Sequence, residues 1–257
     1  MAIEVFTLSE GSYSVDISKK FIPFDPKKDN PKDRPASLFI HVQPFLVKLA
    51  NRLILLDTGL GYSDQNGELI LHKNIKKAGF EPNDVDLVLM SHLHFDHAGG
   101  MIHQHDGNTR LSFPNASYVI QRGEWEHAFT NKSSSYKSSI FEYLQRNAQL
   151  HFVEGNGMLE KGIRFELTGA HCPYHQVFWI DENNSEQVFF GGDVLPEPEE
   201  LLRKFIAKYD YDGRKAMELR DAFGHKAAAK NWKCLFYHSK TKTQAFVKLE
   251  EGQFKIY

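Results

Sequence analysis

The stretch 85-VDLVLMSHLHFDHAGG-100 sets a short apolar run against three histidines and an aspartate, and the reading of that junction decides the fold. Residues 85–90 suit a buried strand. If the chain leaves that strand still extended, His92 and His94, two positions apart, project the same way and can share one metal ion. Asp96 and His97 are adjacent, so they diverge and can reach a second ion beside the first. Gly99 and Gly100 let the backbone turn tightly with no Cβ obstructing the site. Imidazole and carboxylate donors together suit Zn²⁺ and also accept Fe, Mn or Co. Without thiolates the set is not that of a structural zinc finger.

Working outward, short apolar runs recur on both sides of the cluster. Strands are expected at 3–8, 38–43, 45–49, 53–56 and 117–121, and again at 163–168, 177–181, 187–192, 234–238, 244–250 and 253–257. Helical patterns fall at 72–80, 122–129, 140–149 and 214–231. The stretch 57-DTGLG-61 reads as a turn after a strand. Strands in each half with helices between them predict an α/β fold, a four-layer αββα sandwich with two sheets back to back. The expectation is one domain over 1–257, with a helical lid insertion at about 122–150.

Composition narrows the function classes. A net charge of −2 supplies no basic field for nucleic acid or an anionic membrane. The N-terminal 1-MAIEVFTLSEGSYSVD-16 lacks the basic start and apolar run of an export signal. The most apolar region, 38–56, is interrupted by polar residues too often to span a bilayer. Two cysteines, Cys172 and Cys234, do not make a disulfide framework. A soluble cytoplasmic globular protein is expected, with no nucleic-acid or membrane partner. His103, His105 and Asp106 read as a solvated loop, and His175 as a neighbour of the site.

The pattern His92-x-His94-x-Asp96-His97 resembles the signature of the metallo-β-lactamase superfamily. Four further elements follow the same resemblance: 169-GAHCPYH-175, 189-FFGGDVLP-196, 235-LFYHS-239 and the upstream 55-LLDTGLG-61. The resemblance implies His171, Asp193 and His238 as later metal ligands. It places His92, His94 and His171 on one ion, Asp96, His97 and His238 on the other, and Asp193 between them. Asp57 would accept a hydrogen bond from a ligand histidine.

The implied chemistry is hydrolysis by a hydroxide bridging two divalent ions, Zn²⁺ first, with Asp96 and Asp193 as the catalytic carboxylates. Among branches, 118-YVIQRGEWEHA-128 and 209-YDYDGRKAMELRDAF-223 are similar to segments of acyl-homoserine lactonases and organophosphate or aryl-ester hydrolases. Those lactonases usually place a Tyr two residues after the bridging Asp, where this chain has Leu195. Ester or lactone cleavage is therefore the expected reaction. Phosphotriester or phosphodiester hydrolysis on the same site is the first alternative, and a non-catalytic or iron redox member the second. Related enzymes point to a homodimer.

Overall fold

The computed structural model describes residues 3–131, 133–182 and 186–257. A six-stranded sheet orders Glu4–Thr7, Phe45–Lys48, Leu53–Leu56, Leu87–Leu89, Ser117–Gln121 and Gln149–Val153 from edge to edge. Its last four strands run parallel. A seven-stranded sheet orders Gly157–Glu160, Ile163–Leu167, Gln176–Ile180, Val188–Phe190, Lys233–Leu235, Gln244–Glu250 and Gln253–Ile256. Its one parallel pair, Val188–Phe190 with Lys233–Leu235, is connected through the helix Gly213–Lys230.

Three separate apolar cores show why the layers stack as αββα. Between the sheets, Ile54, Leu56, Leu89 and Val119 meet Phe165, Phe178, Ile180 and Phe190. Outside the first sheet, Leu53, Leu55, Val88 and Ile120 pack on Leu71, Ile75, Phe141 and Leu144 of the helices Ile70–Lys77 and Ser138–Asn147. Outside the second, Val177, Trp179 and Phe189 pack on Ala216, Phe223 and Ala227 of the helix Gly213–Lys230. Leu53–Leu56 has no polar residue because its alternate side chains feed two different cores. Each large side chain buried this way contributes about 1.5–3 kcal/mol. Among the described residues no helix is long and apolar enough to cross a membrane.

A three-stranded sheet of Phe21–Pro23, Gly11–Val15 and Leu38–Val42 is only partly legible in sequence, because GSYSV and FIP are too short for their pattern to stand out. His103 and His105 lie on a β-hairpin, Ile102–His105 with Asn108–Leu111. There His103 Nδ1 sits 3.2 Å from Ser112 Oγ and His105 Nε2 sits 3.2 Å from Asp106. The segment 122–150, within which Lys132 lies outside the described residues, contains the helices Arg122–Thr130 and Ser138–Asn147, which connect two parallel strands of the first sheet. Trp125 and Phe141 of these helices belong to the outer core.

Candidate metal centre

The candidate residues follow the C-terminal ends of strands, where open α/β sheets build their sites. Asp57 follows Leu53–Leu56, the 92–97 loop follows Leu87–Leu89, and His171 follows Ile163–Leu167. Asp193 follows Val188–Phe190, and His238 follows Lys233–Leu235. Seven side chains from four loops converge. Ligand atoms of His92, His94 and His171 lie within 4.8 Å of one another, and so do those of Asp96, His97 and His238.

Asp193 stands between the two groups. Its Oδ2 is 3.3 Å from His171 Nε2, while its Oδ1 is 3.1 Å from His97 Nε2 and 3.2 Å from His238 Nε2. His94 Nδ1 faces His92 Nε2 at 3.0 Å and His171 Nε2 at 3.2 Å.

The outward ring nitrogens are already engaged. His97 Nδ1 meets Asp57 at 2.7 Å, His92 Nδ1 meets Ser91 Oγ at 3.0 Å, and His238 Nδ1 donates to the His41 carbonyl at 2.6 Å. His171 Nδ1 meets Asp210 at 3.1 Å. Inside, His97 Nε2 and Asp193 Oδ1 are buried without a hydrogen-bond partner. Orphaned buried polar atoms are rare, and a ring of donors facing one another is what a cation would satisfy.

Charge follows this geometry. Burial, then the neighbouring imidazoles, hold His92 and His94 well below the ordinary histidine range, leaving their rings neutral. Burial also opposes a charge on His97, yet Asp193 and Asp96 raise it well above that range. Asp193, which burial alone would raise, is held well below the carboxylate range by His97, His238 and His171.

Asp57 also lies close to His92 and His97. Its two oxygens, however, accept from Ser91 N at 2.7 Å, Ser91 Oγ at 2.6 Å and His97 Nδ1 at 2.7 Å. It therefore orients the His97 ring. Asp57 takes a left-handed φ of 56°, a conformation aspartate tolerates better than most residues. The following Thr58 donates through N and Oγ1 to the His97 carbonyl at 2.7 and 2.8 Å.

Gly99 and Gly100 matter for a different reason than the turn expected of them. A Cβ on either would strike the backbone of Leu60 or Thr58, so they allow two loops to touch. His175 supports Asp193 by accepting from its backbone N–H at 3.1 Å, while its own Nδ1 meets Thr168 Oγ1 at 2.8 Å.

Four residues give no sign of their role in the sequence. Glu124 accepts from Leu93 N at 3.0 Å, Tyr136 OH at 3.1 Å and Cys172 Sγ at 3.3 Å, which ties the histidine loop to the first helix of the 122–150 segment. Burial, then Glu124, keeps the Cys172 thiol protonated. Asp210, Arg220 and Tyr209 approach from the other side. Asp210 meets His171 directly, Tyr209 lies beside its ring and Arg220 reaches it only through Asp210, contacts that no local pattern in 209–220 signals.

A cavity of about 470 Å³ opens on His94, Asp96, His171, Asp193 and His238. The small sheet walls one side with Val15, Phe21, Phe39 and Ile40, and Glu197, Glu200, Tyr209 and Lys240 line it elsewhere. Leu195 is buried in the outer core of the second sheet.

An αββα sandwich with clustered His and Asp side chains at its strand ends defines a metallohydrolase type of fold and site. The chain belongs to the metallo-beta-lactamase superfamily, whose family model matches residues 40–238. Among curated relatives, N-acyl homoserine lactonase AiiA of Bacillus thuringiensis subsp. kurstaki is 28% identical over 169 residues, covering 58% of this chain and 62% of that protein. N-acyl homoserine lactonase AttM of Rhizobium radiobacter is 46% identical over 131 residues, covering 47% of this chain and 45% of that protein. These matches thus span less than two thirds of the relatives' length. The solved dizinc quorum-quenching lactonase AidC, in complex with a product, aligns over 99% of this chain and 94% of its own, with a TM-score of 0.75 and 24% identity. A probable metal-dependent hydrolase from Staphylococcus aureus aligns over 99% of this chain and 97% of its own, with a TM-score of 0.77 and 20% identity.

Proposed function

We propose that this chain is a dinuclear metal-dependent hydrolase that cleaves an ester or lactone bond of a small molecule. One observation carries the reading: Asp193 divides its two oxygens between two groups of histidines at the floor of an open cavity. In this reading His92, His94 and His171 hold one divalent ion, Asp96, His97 and His238 hold the other, and Asp193 joins them. Zn²⁺ suits the donors best, with Fe, Mn or Co as alternatives. If bound, such a pair would supply a water acidified toward neutral pH as nucleophile and a Lewis acid for an acyl oxygen.

The chain's own groups orient and move protons. Asp57 fixes the His97 ring and Asp210 the His171 ring. Asp96 Oδ2, 3.6 Å from His238 Nε2 and at the cavity surface, is placed to pass the proton released by the attacking water to the departing oxygen. Tyr237 donates to the Asp96 carbonyl at 2.7 Å and stacks on His97, which steadies both. The apolar wall of the small sheet favours a substrate with a hydrocarbon portion. The 122–150 segment, in the same reading a lid, reaches the cleft through Ser135, beside Tyr136 against the His94 ring.

The test is metal analysis followed by turnover of metal-loaded protein on lactones, p-nitrophenyl carboxylates and phosphotriesters. Cleavage of the first two classes is expected. Turnover of phosphotriesters alone would replace the reading with the phosphoester alternative. Two bound ions with no turnover on any class would leave a non-catalytic metal protein.

A further inference from the structure

Arg220 stands on the helix Gly213–Lys230, outside the cavity, and is 2% exposed. A guanidinium cannot shed its charge, so one this deeply buried must be matched on several edges. Its Nε donates to the Val194 carbonyl at 2.9 Å, directly after Asp193. Its Nη2 donates to Asp210 Oδ2 at 2.6 Å, and the other oxygen of the same carboxylate lies 3.1 Å from His171 Nδ1. Glu200 Oε2 is 2.7 Å from Nε as a second counter-charge, and the guanidinium plane lies 5.0 Å from the Phe205 ring centre. Backbone bonds reinforce one side: Tyr211 N donates to the His171 carbonyl at 3.0 Å and Asp212 N to that of Ala170 at 2.8 Å.

Resting on the dinuclear reading above, we propose that Arg220 is a positioning residue that locks His171 and Asp193, carried on separate loops, into one register. The rigid fork makes the difference. One edge holds the turn that carries Asp193 while another holds the carboxylate that aims His171. A lysine ammonium supplies the charge but not the two fixed directions. Without the fork the buried Asp210 carboxyl would be free to swing, and the His171 ring would lose its fixed orientation. The ion held by His92, His94 and His171 should then weaken first, because the His97 side is aimed independently by Asp57.

The experiment titrates metal-free protein with Co²⁺ against a competing chelator, reading each equivalent by its visible spectrum. Arg220→Lys, Arg220→Met and Asp210→Asn are compared with wild type. Leu144→Ala, in a helix of the opposite layer, shows how far affinity falls through lost stability alone. His94→Ala marks which equivalent belongs to the His171 group.

Wild type should bind two equivalents. Each Arg220 and Asp210 variant should weaken the marked equivalent by about 10–100-fold and leave the other within about threefold. Adding Arg220→Met to His94→Ala should then cost the remaining equivalent nothing more. Should Arg220→Met not fold, Arg220→Lys and Asp210→Asn carry the same comparison. Unchanged affinities in a folded variant, or both equivalents weakened only as far as in Leu144→Ala, would overturn the assignment of Arg220 alone. A wild type that binds fewer than two equivalents would overturn the dinuclear reading and this inference with it.

Discussion

His97 and His171 face each other across Asp193, and each has a buried carboxylate behind its outer nitrogen, yet the two arrangements are built differently. Asp57 lies on a turn adjoining the histidine loop, sealed between Ser91 and His97. Asp210 comes from a loop 39 residues beyond His171 in sequence and is held by an arginine from a helix. The first carboxylate is aimed by Ser91 and by the ring it orients, in a fixed backbone crossing. The second depends on a charge pair buried behind the cavity wall. The same ring-orienting task is therefore met by a rigid device on one side and an assembled one on the other. The difference predicts which half of the centre tolerates change.

The largest effect should come from the group that belongs to both halves. Asp193→Ala removes the carboxylate common to the two histidine groups. It should lower kcat/KM by on the order of 10³-fold or more and reduce the metal recovered with the protein. Turnover near that of wild type, at full metal content, would end the assignment. Next in size, Asp57→Asn keeps the shape but turns an amide toward donors it cannot accept from. It should weaken the ion on the Asp96, His97 and His238 side by about 10–100-fold, read by chelator competition, while the opposite ion holds. Equal weakening of both ions would erase the distinction between the halves.

Much of this architecture is legible in the amino-acid sequence, and the boundary of what is legible has a physical cause. Strands such as Leu53–Leu56 and Leu87–Leu89 announce themselves because both of their faces enter cores. Each ligand candidate then follows a strand, so its place in sequence nearly fixes its place in space. Gly11–Val15 stays hidden because its apolar face is only Tyr13 and Val15, too short a run to stand out. Asp210, Arg220 and Glu124 stay hidden because their partners lie tens of residues away, and a single carboxylate or arginine shows nothing of what it will meet. His175 reads as a neighbour of the site, but the hydrogen bond it accepts from Asp193 N is visible only in three dimensions.

The rigid side has its own support, and pH should expose it. The Glu10 carboxylate accepts from Leu60 N at 2.6 Å beneath the turn that carries Asp57, and burial pushes its pKa up to about 8. Below about pH 4.5 both folded and unfolded chains keep that proton. Between 4.5 and 8 the unfolded chain releases it while the folded chain retains it, so this group's contribution to stability falls as pH rises and levels off above 8. Glu10→Gln should remove that slope. Urea melts should show the variant gaining on wild type by a few kcal/mol between pH 5 and pH 8. A constant difference across the range would mean that Glu10 does not carry this titration.

The smallest effect should come from Cys172, beside His171 in sequence but turned away from the centre. Its Sγ donates to Glu124 at 3.3 Å, and Glu124 in turn holds Leu93 between the first two histidines. Cys172→Ser replaces one donor by another of similar reach, so the Glu124 carboxylate keeps its partners. Metal stoichiometry should stay at the wild-type value, kcat/KM should change by less than about threefold, and stability should shift by about 1 kcal/mol or less. Loss of an ion in this variant would mean that sulfur takes part in the centre, and the all-imidazole and carboxylate donor set would have to be redrawn. Cys172→Ala sharpens the point: it leaves one oxygen of a buried carboxylate without its donor. It should therefore cost more stability than Cys172→Ser while leaving metal content alone, a split that only a supporting role produces.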